Sequence, residues 1–323
     1  MDAAARYASN FLGTTKDNPT VAALVVDPTN NTLLARAVTA TGGRPHAETR
    51  AIAEAGPKTD GATLYVTLEP CNHQGKTPPC VDAAIAAKFK RVVVGQLDVD
   101  PRTAGKSIEK MRNHGINVDV VDRHQTTAQL HRAFFHRMST GRPYVIAKLA
   151  VSADGMVGRV GEGNVPITGA DAKNWTHSLR ARVDGIAVGA KTFQLDQPAL
   201  NVRLRGLEDR SPERFVFSTS ERAHANATTI DSGQGLSQAL KTVGEAGINS
   251  LLIEGGPALL QSLLDEALIN EFHLLKSKKL IGTKGQPAFE GAYATQVLLA
   301  LGFELREQRQ LGNDQLFSFT KDR

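Results

Sequence analysis

Three side chains in the first third of the sequence have the types and spacing of a zinc site. They are His46, within the run Pro-His-Ala-Glu, and the only two cysteines of the chain, Cys71 and Cys80. Imidazole nitrogen and thiolate sulfur bind zinc well, and a catalytic zinc keeps three protein ligands and leaves one position for water. Since zinc lowers the pKa of that water towards neutrality, the pattern predicts hydrolytic chemistry.

Glu48 completes the pattern as an acid–base group. It lies two residues after His46, so we expect its carboxylate to take a proton from the water and pass it to the ring nitrogen and the leaving ammonia. Zinc deaminases of nucleobases carry H-x-E followed by P-C-x-x-C, in which the Glu is not a ligand. Here Cys80 stands nine positions after Cys71, a wider spacing than in that general signature.

Each of these residues also has a plainer interpretation. His46 alone fits a surface histidine, and a single cysteine fits an inert core thiol. A structural disulfide is disfavoured in a cytoplasmic chain. The combination of His46 and the two cysteines with Glu48 favours a metal site. His73, between the cysteines, is an alternative ligand, but His46, Cys71 and Cys80 already supply the three that a catalytic zinc needs.

The elements around the site are expected to bring its residues together. A strand at 62–68 delivers Cys71 at its end, a helix at 47–55 begins after His46, and a helix at 81–88 begins after Cys80. Helix N-termini favour thiolate over thiol, which suits a metal ligand.

The chain is long for one core, so two domains are expected, 1–140 and 144–323, with a boundary in the polar segment 139–143. Like the first half, the second half of the sequence alternates between strand and helix patterns. The strands are expected at 144–151, 185–188, 214–217, 250–253 and 271–275, and the helices at 170–181, 236–243 and 258–268. Interleaved strands and helices predict an α/β fold with mainly parallel sheets covered on both faces.

Bulk properties exclude several classes of protein. The formal net charge of +5 is spread along the chain, which argues against a nucleic-acid partner. An apolar run of the length that spans a bilayer is absent from the sequence. The N-terminal residues do not have the pattern of a secretory signal, so we expect a cytoplasmic enzyme without a membrane partner.

A glycine pair in the second half is a weaker signal. The apolar run 250–253 is followed by Glu254-Gly255-Gly256-Pro257 and a helical pattern. Glycine lets the backbone approach a phosphate, and a helix N-terminus favours an anion. A plain strand–turn–helix connection would have the same sequence.

Longer runs around these residues resemble the bifunctional deaminase–reductases of riboflavin biosynthesis. The runs are PHAE and TLEPCNHQGKTPPC in the first half, and FFHRMSTGRPYVIAKLAVSADG, DQPALNVR and LLIEGGPALLQSLL in the second. The resemblance covers nearly the whole chain, and the wide cysteine spacing is normal within it. It implies an N-terminal cytidine-deaminase-like three-layer α/β domain and a C-terminal dihydrofolate-reductase-like α/β domain.

The resemblance also implies two reactions. The first is zinc-dependent hydrolytic deamination of 2,5-diamino-6-ribosylamino-4(3H)-pyrimidinone 5′-phosphate, with one zinc per deaminase domain. The second is NADPH-dependent reduction of 5-amino-6-(5-phosphoribosylamino)uracil to the ribitylamino product. The expected partners are small phosphorylated pyrimidines, and we expect a homo-oligomer, a dimer or a tetramer.

Two further residues of the first domain are substrate candidates. Asn18 offers a donor and an acceptor to the pyrimidine edge, although a turn residue before Pro19 would also be Asn. Lys76, between the cysteines, offers a point charge to the substrate phosphate, although a solvated loop lysine is the alternative. Thr39 stands where the resembling family often has His, which is a departure in the substrate pocket.

In the second domain the resemblance assigns contacts residue by residue. The substrate contacts are Asn164, Arg180, Leu200, Arg203 and Glu254. The cofactor contacts are Ala150, Pro166, Thr192, Asp196, Thr219, Gly256, Pro257, Ala258, Leu259, Leu260, Gln261 and Ser262. Arg180 and Arg203 suit a phosphate clamp, whereas an isolated arginine is otherwise a solvated side chain. Lys148 and Asp196 are candidates for handling the proton of the reduction. Pro166 replaces a usual Trp, and Asn164 replaces a common Ser.

Two other hypotheses compete with this interpretation. One is a zinc nucleobase or tRNA deaminase with a non-catalytic C-terminal domain, which a basic patch and stacking aromatics would favour. Aromatic residues make up only 5% of the chain and its charge is diffuse. The other is a non-enzymatic scaffold, against which the intact set of Glu48 and three ligands argues.

Overall fold

The chain divides into two compact units, Met1–Thr140 (unit 1) and Gly141–Arg323 (unit 2). The computed structural model describes residues 1–75, 77–121, 124–159, 161, 165–220, 226–289 and 293–321. Lys76 and Asn164, two of the predicted substrate contacts, therefore lie outside the described residues. In the described ranges, every helix is too short or too polar to cross a bilayer.

Unit 1 is built on a mixed sheet, which has five strands in its described part, in the order β2-β1-β3-β4-β5. The strands are β1 (Ala22–Asp27), β2 (Thr32–Val38), β3 (Thr63–Val66), β4 (Arg91–Val94) and β5 (Asn117–Val120). β1 runs antiparallel to β2 and to β3, whereas β3, β4 and β5 are parallel. The expected mainly parallel sheet is thus only half parallel here, because β1 runs against both of its neighbours, β2 and β3.

Helices cover this sheet and provide its core. They are α1 (Asp2–Ser9), α2 (Ala47–Ala55), α3 (Cys80–Ala86), α4 (Lys106–Asn113) and α5 (Gln125–Thr140). Ala47 and Ala51 of α2 belong to the same apolar core as the buried strand residues Leu64 and Val66. The helix ends where Gly56 takes a φ of +57°, a conformation that glycine adopts at little cost.

Unit 2 has a larger mixed sheet, which in its described part has eight strands in the order β10-β9-β8-β11-β6-β12-β15-β14. The strands are β6 (Tyr144–Val151), β8 (Gly185–Gly189), β9 (Glu213–Ser218), β10 (Thr228–Asp231), β11 (Ser250–Ile253), β12 (Glu271–Lys276), β14 (Glu304–Leu311) and β15 (Asp314–Thr320). All neighbours from β10 to β12 are parallel, and β15 and β14 are added antiparallel. A separate antiparallel pair is formed by β7 (Met156–Arg159) and β13 (Gly285–Pro287).

The helices of unit 2 are α6 (Ala170–Arg180), α7 (Ala190–Asp196), α8 (Leu236–Glu245), α9 (Pro257–Asp265) and α10 (Ala294–Ala300). The largest apolar core packs α8 and α9 against the sheet through side chains such as Leu240, Leu260 and Phe272. Parallel strands place their carboxyl ends at one edge, so the segments that follow β6, β8, β9 and β11 meet there.

The α/β class predicted for both halves of the chain is confirmed. Several elements of unit 2 were not predicted, among them β14, whose side chains are exposed along almost its whole length. An exposed edge strand lacks the apolar alternation by which strands are recognised.

Candidate active sites

The ends of three elements bring the candidate zinc ligands together in unit 1. His46 is the residue immediately before α2, Cys71 follows the carboxyl end of β3, and Cys80 is the first residue of α3. A cis peptide joins Arg44 to Pro45, immediately before His46. The side chains therefore converge at the carboxyl edge of the sheet, where two helices begin.

The ligand atoms already form a compact array. His46 Nδ1 lies 3.3 Å from Cys80 Sγ and 3.7 Å from Cys71 Sγ. All three ligand atoms lie within 4.8 Å of one another, and His73 is not part of this cluster. One nitrogen and two sulfurs are the donor set of a catalytic zinc site, so the residues present fit this metal.

The charge distribution around the cysteines favours a thiolate. A hydrogen bond with the Cys80 side chain lowers the pKa of the Cys71 thiol to about 4, against the opposing effect of burial, and His46 adds to the lowering. The same pairing with Cys71, together with burial, raises the pKa of Cys80. The Cys80 backbone N–H donates to Cys71 Sγ over 3.3 Å. Cys71 is therefore held as the anionic partner, the state in which sulfur binds a metal.

Glu48 is buried in the first turn of α2, with 3% of its surface exposed. Burial raises the pKa of its carboxyl group to about 7, and the nearby Cys71 adds to this, whereas His46 opposes it. A carboxyl group with a pKa near neutrality both accepts and returns a proton efficiently. The position and the pKa of Glu48 thus suit proton transfer beside the ligand cluster.

Two other residues of unit 1 lie in the loops around the cluster. The Asn18 amide is packed against Gly43, where an added Cβ would lie 2.3 Å from Asn18 Nδ2. Thr39 is buried, and its hydroxyl donates to Pro19 O and accepts from Val21 N. Asn18 thus contacts the loop that leads to His46, whereas the Thr39 hydroxyl is fully engaged by the backbone.

A contact between Arg44 and the loop that joins the cysteines was not predicted. Arg44 Nη1 donates to Thr77 Oγ1 over 2.8 Å, and its guanidinium lies close to Gly75. This contact ties the inter-cysteine loop to the turn before His46. A lone arginine before Pro-His-Ala-Glu carries no signal by which its partner could be predicted.

In unit 2 a cleft of about 1050 Å³ opens at the carboxyl edge of the parallel strands (the unit 2 cleft). Most of the predicted reductase contacts line it: Ala150, Pro166, Arg180, Thr192, Asp196, Leu200, Arg203, Thr219, Glu254, Gly256, Pro257, Ala258, Leu259 and Ser262. Lys148 lines it as well. Residues from seven separate segments of the sequence thus meet around one cavity.

Two predicted cofactor contacts do not line this cleft. Leu260 is fully buried in the apolar core, and Gln261 is exposed and donates to Asp265 Oδ1 over 2.7 Å. Both lie on α9, whose successive side chains point in different directions. The contiguous stretch expected from the resemblance is therefore interrupted at these two positions.

The glycines before α9 allow close packing at the cleft. An added Cβ on Gly256 would lie 3.2 Å from Thr192 Oγ1, and one on Gly255 would lie 3.1 Å from the Leu259 side chain. Pro257 is the first residue of α9, a position at which its missing N–H costs nothing. The N-terminus of α9 therefore faces the cleft with its backbone uncovered, which suits an anion.

A buried ionic cluster forms one wall of the cleft. Glu254 accepts from Arg180 Nε over 2.6 Å and from Arg180 Nη2 over 3.0 Å, and Lys148 Nζ lies 3.2 Å away. Burial raises the pKa of Glu254, but the charges of Lys148 and Arg180 outweigh it and lower the pKa to about 2. Arg180 Nη1 also donates to the Asn201 carbonyl. Arg180 is therefore held in a buried ion pair, whereas Arg203 is exposed and donates from Nη1 to Asn201 Oδ1 over 2.7 Å.

Two ionisable cleft residues on α6 were not predicted from the sequence. Lys173 and His177 line the cavity together with Arg180, at spacings of four and three residues that place them on one helix face. Burial lowers the pKa of His177, and Arg180 and Arg203 lower it further. Their helical spacing from Arg180 is the sequence signal that places both residues beside it.

Comparisons with known proteins match both units. The family model for the RibD C-terminal domain matches residues 143–317, and the model for the cytidine and deoxycytidylate deaminase zinc-binding region matches residues 1–96. The riboflavin biosynthesis protein RibD of Aquifex aeolicus is 33% identical over 312 residues, covering 87% of each chain.

Solved structures extend the likeness to the whole chain. RibD of Acinetobacter baumannii (form 2) has a TM-score of 0.88 at 30% identity, covering 99% of this chain and 97% of the other. A Thermotoga maritima structure described as a diaminohydroxyphosphoribosylaminopyrimidine deaminase/5-amino-6-(5-phosphoribosylamino)uracil reductase has a TM-score of 0.87 at 30% identity, covering 100% and 97%.

Proposed function

Since the chain belongs to the RibD family of bifunctional deaminase–reductases of riboflavin biosynthesis, we propose that it catalyses two reactions of this pathway. Residues 1–140 deaminate 2,5-diamino-6-ribosylamino-4(3H)-pyrimidinone 5′-phosphate with zinc. Residues 144–323 reduce 5-amino-6-(5-phosphoribosylamino)uracil to the ribitylamino product with NADPH. The arrangement of His46, Cys71 and Cys80 beside the buried Glu48 is the observation that carries the proposal.

In unit 1, His46, Cys71 and Cys80 would hold the zinc. Zinc, when bound, supplies a Lewis acid that makes water a nucleophile near neutral pH. Glu48 transfers one proton of the water to the pyrimidine nitrogen and then the second, from the hydroxyl group that has been added, to the departing ammonia, for which its pKa of about 7 is suited. Asn18 and Lys76 are proposed to bind the pyrimidine edge and the phosphate.

In unit 2, NADPH supplies the hydride when bound. The backbone at the start of α9 is proposed to hold the phosphates of NADPH. The proposed NADPH contacts are Ala150, Pro166, Thr192, Asp196, Thr219, Gly256, Pro257, Ala258, Leu259 and Ser262. Leu260 supports this helix from the core, and the predicted contacts of Leu260 and Gln261 with NADPH stay predictions. Reduction of the ribosyl group also consumes one proton, and Lys148, held by Glu254 over 3.2 Å, is better placed for this than the exposed Asp196.

The substrate of unit 2 is proposed to lie against Arg203, Leu200, Asn164 and the Arg180–Glu254 pair. Arg180 is held in the buried pair with Glu254, whereas Arg203 is exposed and its side chain donates, among the described residues, only from Nη1 to the Asn201 side chain, so Arg203 is the better phosphate ligand of the two arginines. Arg203→Ala is therefore expected to raise the KM for the phosphorylated substrate more than the KM for NADPH.

The two activities can be separated in one experiment. Glu48→Gln is expected to keep its zinc and to lose ammonia release, while NADPH oxidation with the deaminated substrate continues at the wild-type rate. Cys71→Ala combined with Cys80→Ala is expected to lose zinc as well. Retention of ammonia release by Glu48→Gln would contradict the proposed role of this residue.

A second measurement addresses the alternative of a deaminase with a non-catalytic second half. Purified full-length protein is mixed with NADPH and the ribosylaminouracil phosphate, and loss of NADPH absorbance is followed. Robust turnover is expected, and its absence in protein that retains deaminase activity would favour the alternative.

We also propose that the enzyme acts in the cytoplasm, on small phosphorylated pyrimidines, as a homodimer or homotetramer. Cys71 and Cys80 are both free thiols, as is usual in a reducing compartment. Light scattering on the purified protein measures the mass in solution, and a monomer at working concentrations would contradict the oligomer.

A further inference from the structure

A buried carboxylate that takes no part in the proposed chemistry lies two residues before Cys71. Glu69 is 2% exposed. Its Oε1 accepts from the backbone N–H of Ser107 over 3.1 Å, and its Oε2 accepts from those of Asp98 and Gly105 over 3.2 and 3.0 Å. A buried carboxylate is costly unless it is hydrogen-bonded in this way, so its surroundings are built to retain it.

The three N–H donors belong to one segment, residues 98–107, which leads into α4. Gly105 directly precedes α4, and Ser107 is in its first turn. The first N–H groups of a helix have no partner within the helix, and negative charge is stabilising there. Glu69 therefore fixes the start of α4 relative to the segment that carries Cys71.

The same segment holds the chain on both sides of Cys71. The Ser107 hydroxyl donates to the Pro70 carbonyl over 2.6 Å, and the Asn72 N–H donates to Thr103 Oγ1 over 3.3 Å. Ser107 and Thr103 are both 0% exposed. We call Glu69, Thr103 and Ser107 the Glu69 clamp.

We infer that the Glu69 clamp positions Cys71 as a zinc ligand, an inference that rests on the zinc site of the proposed function. Cys71 lies on a loop, and the position of a loop side chain relative to the other ligands varies unless the backbone is held. The clamp fixes the residues before and after it, so Sγ points at His46 Nδ1 and receives the Cys80 N–H. Glu69 is thus a positioning residue, since it acts on the metal through Cys71.

The expected effect is on metal affinity and on the environment of the thiolate. Loss of a group that supports a metal ligand typically weakens metal binding by about 10- to 100-fold. Glu69→Gln keeps the shape but replaces one acceptor by an NH₂ group that faces a backbone N–H. Ser107→Ala removes only the bond to Pro70 and is expected to give a smaller loss.

The test uses full-length protein stripped of metal and titrated with Co²⁺, whose charge-transfer absorption with thiolate reports on the cysteines, and with Zn²⁺ against a chelating indicator. Glu69→Gln is expected to bind about 10- to 100-fold more weakly and to shift or weaken the Co²⁺ band. Thr59→Val is the matched control, because it also removes a buried hydroxyl bond, from Thr59 Oγ1 to Gly56 O, at the opposite end of β3.

Thermal unfolding of each metal-free variant shows whether the chain is folded, and reductase turnover shows that unit 2 is intact. Folded Glu69→Gln and Ser107→Ala proteins with wild-type Co²⁺ spectra and affinities would overturn the clamp, even if their melting temperatures fall. If Glu69→Gln does not fold, Ser107→Ala decides alone. A wild-type protein that takes up neither metal would instead overturn the zinc site, and the clamp with it.

Discussion

Glu254→Gln removes the only negative charge from the ionic cluster in the wall of the unit 2 cleft while nearly keeping the side-chain shape. The side chains of Glu254, Arg180 and Lys148 are 8%, 12% and 16% exposed. The substitution therefore leaves two cations in partly buried positions without their anionic partner. Removal of one member of a buried ion pair costs about 3 to 5 kcal/mol.

The pKa of Glu254 gives an independent magnitude. It lies at about 2, below the ordinary value of 4.5, and one pKa unit corresponds to about 1.4 kcal/mol, so ionised Glu254 contributes about 3 kcal/mol to the free energy of unfolding. Because the folded-state pKa is lowered, this contribution is complete above about pH 4.5 and is lost as the pH falls through about 2. At pH 7 the full loss is expected.

Trp175, the only tryptophan of the chain, reports on unit 2. It lies on α6 and its ring is 5.0 Å from the His273 ring, so its fluorescence changes when this helix leaves the sheet. In urea at pH 7, Glu254→Gln is expected to lower the free energy of unfolding by about 3 kcal/mol and the midpoint by at least about 1 M.

The matched control is Glu304→Gln, which breaks an exposed ion pair with Arg306 and is expected to cost less than about 1 kcal/mol. A loss below about 1 kcal/mol for Glu254→Gln as well would refute the reasoning, because the cluster would then be as weak as a surface pair.

Three further predictions concern single side chains. Burial lowers the pKa of His131 to about 4 from 6.5, so the free energy of unfolding of unit 1 is expected to fall by about 3 kcal/mol as the pH falls from 6.5 to 4. In urea titrations followed by circular dichroism, His131→Gln should make this free energy less dependent on pH. An unchanged pH dependence would assign the effect to other groups. Gly43→Ala puts a Cβ 2.3 Å from Asn18 Nδ2 at a φ of +90° and should abolish ammonia release while reductase turnover persists; wild-type ammonia release would show that this loop adapts. Leu260→Ala should lower the free energy of unfolding of unit 2 by about 2 to 5 kcal/mol. Gln261→Ala should change neither this free energy nor the KM for NADPH. A raised KM for Gln261→Ala would show that its side chain contacts NADPH.

The ligand cluster could be predicted from sequence because few residue types bind zinc and because each candidate stood at the end of a recognisable element. Cys71 and Cys80 also had few alternative uses in a chain with only these two cysteines. The helix that follows His46 ends at Ala55, as its Gly-Pro stop signal indicated.

Contacts between distant segments could not be predicted in the same way. The backbone N–H groups that Glu69 binds lie up to 38 residues further along the chain. Almost every residue has such a group, so the residue types do not indicate which ones bind Glu69. The position of Leu260 outside the cleft lining has a different origin, because the 3.6-residue period of α9 turns successive side chains of a contiguous motif in different directions. Gly256–Leu259 and Ser262 line the cleft, whereas the intervening positions turn towards the core and the solvent.

The exposed strand β14 bears on how the protein behaves at high concentration. It ends the eight-stranded sheet, and along it Arg306 pairs with Glu304 and Arg309 with Glu307. A sheet edge is a template on which a foreign strand can add, and charged side chains discourage this. Neutral substitutions at these four positions are therefore expected to promote aggregation while leaving both active sites intact, so the solubility of the protein and its catalysis depend on different parts of unit 2.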